Sequence, residues 1–162
     1  MRILGIDPGM TRTGLGLIEA GGKEPVAIEW LTIETPVGLP MADRLSELSS
    51  DLTKYVRETK PDLAVVERLF FATNKRTAMD VSQARGVIMA TLSAHGIEVL
   101  EATPLQLKTT VTGDGRADKK QVQSMVKRIL KLKETPTPAD AADGLALALY
   151  GAFTHKKLQC LL

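Results

Sequence analysis

The chain opens on a short apolar run, Ile3-Leu4-Gly5-Ile6, that stops on Asp7 and a Pro8-Gly9 turn. Apolar residues at successive positions predict a strand covered on both faces, deep in a sheet. Gly14-Leu15-Gly16-Leu17-Ile18 reads as a second strand, near enough to be the hairpin partner of the first. Gly21-Gly22 marks another turn, and Val26 to Ile33 gives a third strand with Glu29 and Thr32 among its apolar residues. Pro36, Gly38 and Pro40 then break the chain before a helix in which Leu45, Leu48, Leu52 and Tyr55 recur at near-helical spacing, and Pro61 ends it.

The next strand, Leu63-Ala64-Val65-Val66-Glu67, repeats the first, an apolar run that ends on a carboxylate. A loop through Phe70, Phe71 and Asn74 leads to a helix at about 77–94, which Gly96 closes before a fifth strand, Ile97-Glu98-Val99-Leu100. Thr103-Pro104 has the form of an N-cap followed by proline at the first helical position, predicting a short helix to Thr110. A loop with Gly113 and Gly115 precedes a helix at about 118–132 that Asp118 can cap, and Pro136 and Pro138 introduce a last helix, Ala139 to Phe153. The order predicts an α/β fold: a five-stranded mixed sheet with helices on both sides, strands four and five parallel to strand one. Residues 1–154 are expected to form one domain, followed by a loosely tethered tail, 155–162.

Composition changes this picture little. A length of 162 residues suits one domain with a proper core. Cys160 is the single cysteine, so no internal disulfide can form, and a reducing cytoplasm is the expected setting. The chain enters its first strand without a basic-then-apolar leader, and the uncharged run from Gly144 to Phe153 is too short to span a bilayer. Charge distribution is more informative. Residues 1–104 carry 11 basic and 14 acidic side chains, whereas residues 105–133 carry 8 basic and 2 acidic ones, a local net of +6. Such a concentration suits a phosphate-rich partner, although a charge run also suits a solvated helix face.

Four carboxylates occupy positions where carboxylates are expensive. An ionised Asp7 at the end of a buried strand needs a cation, hydrogen-bond donors or a metal, unless it only initiates the Asp-Pro-Gly turn. If strand four lies beside strand one, Glu67 ends near it. In Asp140-Ala141-Ala142-Asp143 the two acids share one helical face, and the alanines between them permit close packing on a sheet. Individually, Glu67 can be a surface ion pair and Asp140 and Asp143 can serve the dipole of the last helix. Together they form a set of hard oxygen ligands suited to Mg²⁺ or Mn²⁺. His95 and His155 have no metal-like spacing, which argues against zinc.

Gly5-Ile6-Asp7-Pro8-Gly9, Glu67 with Phe70, Gln83-Ala84-Arg85-Gly86-Val87 and Asp140-Ala141-Ala142-Asp143 resemble, in order, the motifs of RuvC-type crossover junction endonucleases. The resemblance implies a ribonuclease H-like fold and a homodimer that resolves four-way Holliday junction DNA by two symmetric nicks in recombination and repair. It implies that Asp7, Glu67, Asp140 and Asp143 are catalytic and bind two Mg²⁺, with Mn²⁺ able to substitute. Some members carry His at the position of Asp140. Lys108 and Lys119 match lysines that face the scissile phosphate, with Lys120 as the alternative to Lys119. Phe70, flanked by Arg68, Lys75 and Arg76, matches an aromatic that stacks on an unpaired base, with Phe71 beside it and core packing as the alternative. Arg76 joins these residues as an expected DNA contact. The helix at 77–94 resembles the dimer-forming helix, and a RuvAB branch-migration complex is the implied partner. Two further activities fit the same carboxylates less well: a nuclease acting on RNA–DNA hybrids, and a junction-binding protein without turnover. Actin-like ATPases open with a similar motif but need two such domains.

Overall fold

The computed structural model describes residues 1–68 and 75–159, with only the backbone described at 75–77 and 156–159. Five strands run in chain order: β1 (Arg2–Asp7), β2 (Arg12–Glu19), β3 (Val26–Glu34), β4 (Leu63–Glu67) and β5 (Glu98–Ala102). The helices are α1 (Met41–Thr59), α2 (Lys75–Ala94), α3 (Pro104–Thr112), α4 (Lys119–Ile129) and α5 (Ala139–Gln159). The strands form one sheet in the order β3-β2-β1-β4-β5. β1 pairs antiparallel with β2 and parallel with β4, and β4 pairs parallel with β5. Strands four and five are thus parallel to strand one, as the helical crossovers require.

β1 and β4 are apolar throughout because both of their faces are covered. Ile3, Leu63 and Val65 pack with Leu145 and Leu149 of α5 on one face. Leu4, Ile6, Ala64 and Val66 pack with Leu48 and Leu52 of α1 and Ile88 and Leu92 of α2 on the other. α3 and α4 complete the α5 side through Leu107, Val122 and Val126. Both helices begin with a reciprocal capping box, Thr103 with Gln106 and Asp118 with Gln121.

Several boundaries differ from those the pattern predicts, each for a local reason. β5 continues to Ala102 because Glu101 and Ala102 pair with Val66 and Glu67. α4 ends at Ile129 rather than near 132, because Lys131 takes a left-handed conformation (φ 52°) and closes the helix. α5 runs through Gln159 instead of stopping at Phe153, since no glycine or proline follows to break it. Phe70, Phe71 and Cys160 lie outside the described residues.

α5 meets the sheet backbone to backbone. A Cβ at Gly5 would collide with the Gly144 carbonyl, one at Gly14 with the Asp140 carbonyl, and one at Gly16 with the Leu145 amide. From the helix side, a Cβ at Gly144 would lie 2.6 Å from the Gly16 nitrogen. Backbone atoms cannot swing aside as a flexible side chain can, so these four positions admit only glycine at the observed separation. Gly16→Ala is therefore expected to destabilise the protein by about 2 kcal/mol or more in urea denaturation. At Gly38 a Cβ would meet nothing within 4 Å, so Gly38→Ala should change stability by less than about 0.5 kcal/mol. Equal effects of the two substitutions would contradict this packing.

A carboxylate-lined candidate active site

Asp7 is the last residue of β1 and Glu67 the last residue of the parallel β4, so the two carboxyls emerge at the same end of neighbouring strands. Asp7 also pairs in register with Gly14 of β2. The missing side chain at Gly14 admits the start of α5, where Asp140 and Asp143 lie one turn apart. As a result Asp7, Asp140 and Asp143 present carboxylate oxygens that all lie within 4.8 Å of one another. Glu67 stands on the β4 side of Asp7, where its carboxylate accepts a hydrogen bond from the protonated Asp7 carboxyl.

The turn after Asp7 is pinned from outside the motif. Arg44 of α1 is buried, and its Nη2 donates to the Met10 carbonyl at 3.0 Å and to Thr11 Oγ1 at 3.2 Å. Thr35 Oγ1 donates to the same Met10 carbonyl. A charged hydrogen bond in a buried setting contributes more than a neutral one, so this cluster makes the hairpin turn rigid.

Asp7, Glu67 and Asp143 line a cavity of about 170 Å³ together with Lys108, Lys119 and an apolar wall that includes Leu107, Val122 and Leu147. Lys119, in the first turn of α4, donates from Nζ to Asp143 Oδ2 at 2.6 Å. Lys108 of α3 is half-buried at the cavity wall, whereas Lys120 is exposed on α4 and is not among the lining residues. Arg76 lies in α2, but its side chain is outside the described atoms, as is Phe70 entirely. Four contributors carry no local signal in the sequence: Gly14 and Gly16 read only as part of a strand, and the contacts of Arg44 and Arg85 exist only in the three-dimensional arrangement.

Electrostatics in the cavity are those of crowded acids. Burial, then the charges of Glu67 and Asp143, push the Asp7 carboxyl up to about 8 from its ordinary 3.8. Burial raises Glu67 as well, partly offset by the hydrogen bond it accepts from Asp7. Burial likewise raises Asp143, against the lowering effect of Lys119. Burial lowers Lys119, but Asp143, Asp140 and Asp7 together outweigh it, so its ammonium is held charged. A cluster that retains a proton for lack of positive charge suits a divalent cation. Its oxygen-only donors fit Mg²⁺ or Mn²⁺ better than zinc.

The raised Asp7 carboxyl has a definite pH signature. Without metal the folded protein holds a proton on Asp7 that the unfolded chain releases above about pH 4. Stability from this group is therefore present below about pH 4 and is lost as pH rises through about 8. Asp7→Asn should flatten this dependence in metal-free thermal or urea unfolding. A cation bound at Asp7 must displace the proton, so apparent Mn²⁺ affinity should rise by up to about tenfold per pH unit below pH 8. Calorimetric titration at several pH values, in buffers of different ionisation enthalpy, measures both the affinity and the proton released. An affinity independent of pH would contradict the assigned state of Asp7.

The chain matches the model of the family described as crossover junction endodeoxyribonuclease RuvC over residues 3–151. It is 48% identical over 149 residues to the Syntrophomonas wolfei protein of that name, covering 92% of this chain and 87% of the relative. With the Synechococcus sp. protein it shares 46% over 153 residues, covering 94% and 99%. Thermus thermophilus RuvC, in complex with a Holliday junction substrate, superposes with a TM-score of 0.91 at 32% identity, over 97% of this chain and 96% of that one. The yeast mitochondrial resolvase Ydc2, at 14% identity and a TM-score of 0.67 over 98% of this chain and 82% of that one, shares the fold. This ribonuclease H-like α/β protein belongs to the RuvC family of crossover junction endodeoxyribonucleases.

Proposed function

We propose that this protein resolves four-way Holliday junction DNA by paired symmetric nicks, using metal-assisted phosphodiester hydrolysis at Asp7, Glu67, Asp140 and Asp143. The observation that carries this reading is the meeting of three aspartate oxygens within 4.8 Å, with Glu67 hydrogen-bonded to the shared Asp7. Asp7 stands between two half-sites, one toward Asp140 and Asp143 and the other toward Glu67. The arrangement suits two ions, Mg²⁺ with Mn²⁺ as a substitute. When bound, such a pair activates water and stabilises the oxygen that departs.

The chain's own residues supply the remainder. Asp7 anchors the site because it ends a strand held on both sides, and Arg44 keeps the turn behind it from moving. Lys119 and Lys108 bring positive charge to the rim of the cavity, where a scissile phosphate would lie. Lys120, Arg76 and the stacking aromatic Phe70 extend the expected DNA contact beyond the cavity. Leu107, Val122 and Leu147 form an apolar wall beside the carboxylates.

Two symmetric nicks require two sites, and α2 offers a surface for a second copy. Met79, Gln83, Gly86, Ala90 and Ser93 recur at helical spacing along its exposed face, without a charged residue among them. The family resemblance adds a RuvAB branch-migration complex as the source of the junction, and the single cysteine suits the cytoplasm as location. Among the described residues no helix is long and apolar enough to cross a membrane.

A synthetic mobile four-way junction, a linear duplex and an RNA–DNA hybrid of matching sequence, each with and without Mg²⁺, test the reading together. Paired nicks on opposite strands of the junction alone, dependent on metal, are expected. Preferential cleavage of the hybrid would overturn the substrate assignment. Asp7→Asn should bind the junction as the parent does yet show no metal-dependent nicking. Cleavage by that variant at a rate comparable to the parent would remove Asp7 from its role.

A further inference from the structure

Arg85 lies on α2, on the face opposite the active-site cavity, yet it reaches the end of β4. Its Nε donates to the backbone carbonyl of Glu67 at 3.0 Å. Its Nη2 forms an ion pair with Glu101 of β5. Pairing of β4 with β1 ends at Val66 opposite Ile6, one residue short of Glu67. On the β5 side the Arg68 amide, just past the strand, donates to the Ala102 carbonyl at 2.8 Å. Glu67 is therefore the last residue of β4, paired with Ala102 of β5 but past the end of the pairing with β1, and a guanidinium holds its carbonyl.

We infer that Arg85 is a positioning residue for the metal-binding carboxylate Glu67, acting through the backbone of β4 without touching substrate or ion. A guanidinium suits this task because its planar fork serves two acceptors in fixed relation, here a carbonyl on β4 and a carboxylate on β5. The pair with Glu101 orients the fork, and that acid is partly exposed, so its own charge adds little stability. The Glu67 carbonyl bond sets where the strand stops and hence where the side chain of Glu67 is aimed. Arg85 also lies between Gln83 and Gly86, two residues of the uncharged exposed stripe on α2. The helix proposed to meet a second copy thus carries the side chain that holds Glu67, a direct mechanical link between that surface and the site.

The inference rests on the proposed role of Glu67 as a metal ligand, and the experiment separates the two. Mn²⁺ binding to the metal-free, junction-free protein is measured by calorimetry for the parent, Arg85→Met, Glu67→Gln and the double variant. Junction affinity is measured alongside in Ca²⁺. Arg85→Met is expected to weaken Mn²⁺ binding by about tenfold, the usual consequence of losing a group that orients a ligand, with junction affinity unchanged. In the Glu67→Gln background the same substitution should weaken it no further, because the carboxylate it positions is gone. If Arg85→Met does not fold, Arg85→Lys replaces it; a single ammonium cannot hold both acceptors in the fork's geometry, so a shift of at least about threefold in the same direction is expected. Glu67→Gln weakening Mn²⁺ binding while neither Arg85 variant does would overturn the positioning role alone. Glu67→Gln leaving Mn²⁺ binding unchanged would overturn the ligand role of Glu67 and with it this inference.

Discussion

Helix α5 rests on β1 and β2 with no side chain between the backbones at Gly5, Gly14, Gly16 and Gly144. Everything at the site depends on that approach. Asp140 and Asp143 reach Asp7 because the helix that carries them begins directly over Gly14, the register partner of Asp7. Even one methyl group at this interface would lift the helix and open the gap between the aspartates. The same close contact buries Leu145 and Leu149 against both central strands, so the packing that stabilises the fold is also what assembles the acids.

Assembling acids has an electrostatic consequence that the fold tolerates rather than relieves. Burial and mutual repulsion leave Asp7 protonated near neutral pH, and Lys119 neutralises only part of the remaining charge through Asp143. The site is therefore strained toward any divalent cation that brings charge and accepts oxygen ligands. It is rigid where rigidity matters: Arg44 holds the turn after Asp7, Arg85 holds the end of β4, and the capping box at Asp118 fixes the helix that carries Lys119.

Much of this was legible in the sequence, for reasons that can be named. β1 and β4 announce themselves as apolar runs ended by a carboxylate, because both strands are covered on two faces. Asp140 and Asp143 read as one helical face from their spacing alone, and Thr103-Pro104 and Asp118 read as helix starts because capping is local chemistry. Long-range effects were not legible. The close approach at Gly14 and Gly16 depends on a helix more than a hundred residues away, and Gly-Leu-Gly on its own is only a weak strand. β5 runs two residues past Leu100 because β4 pairs with it, which its own composition does not reveal. Arg85 was visible within a motif, but its bonds to Glu67 and Glu101 exist only once α2 folds back on the sheet.

The divalent-ion site proposed at Asp7, Asp140 and Asp143, flanked by Glu67, depends on the close docking of α5. Anomalous scattering from Mn²⁺ in crystals of this protein, with a junction bound, tests it most directly. A strong peak coordinated by Asp7 together with Asp140 and Asp143 is expected, with a second on the Glu67 side of Asp7. Manganese bound elsewhere, with Lys119 still on Asp143 and no ion touching Asp7, would contradict it.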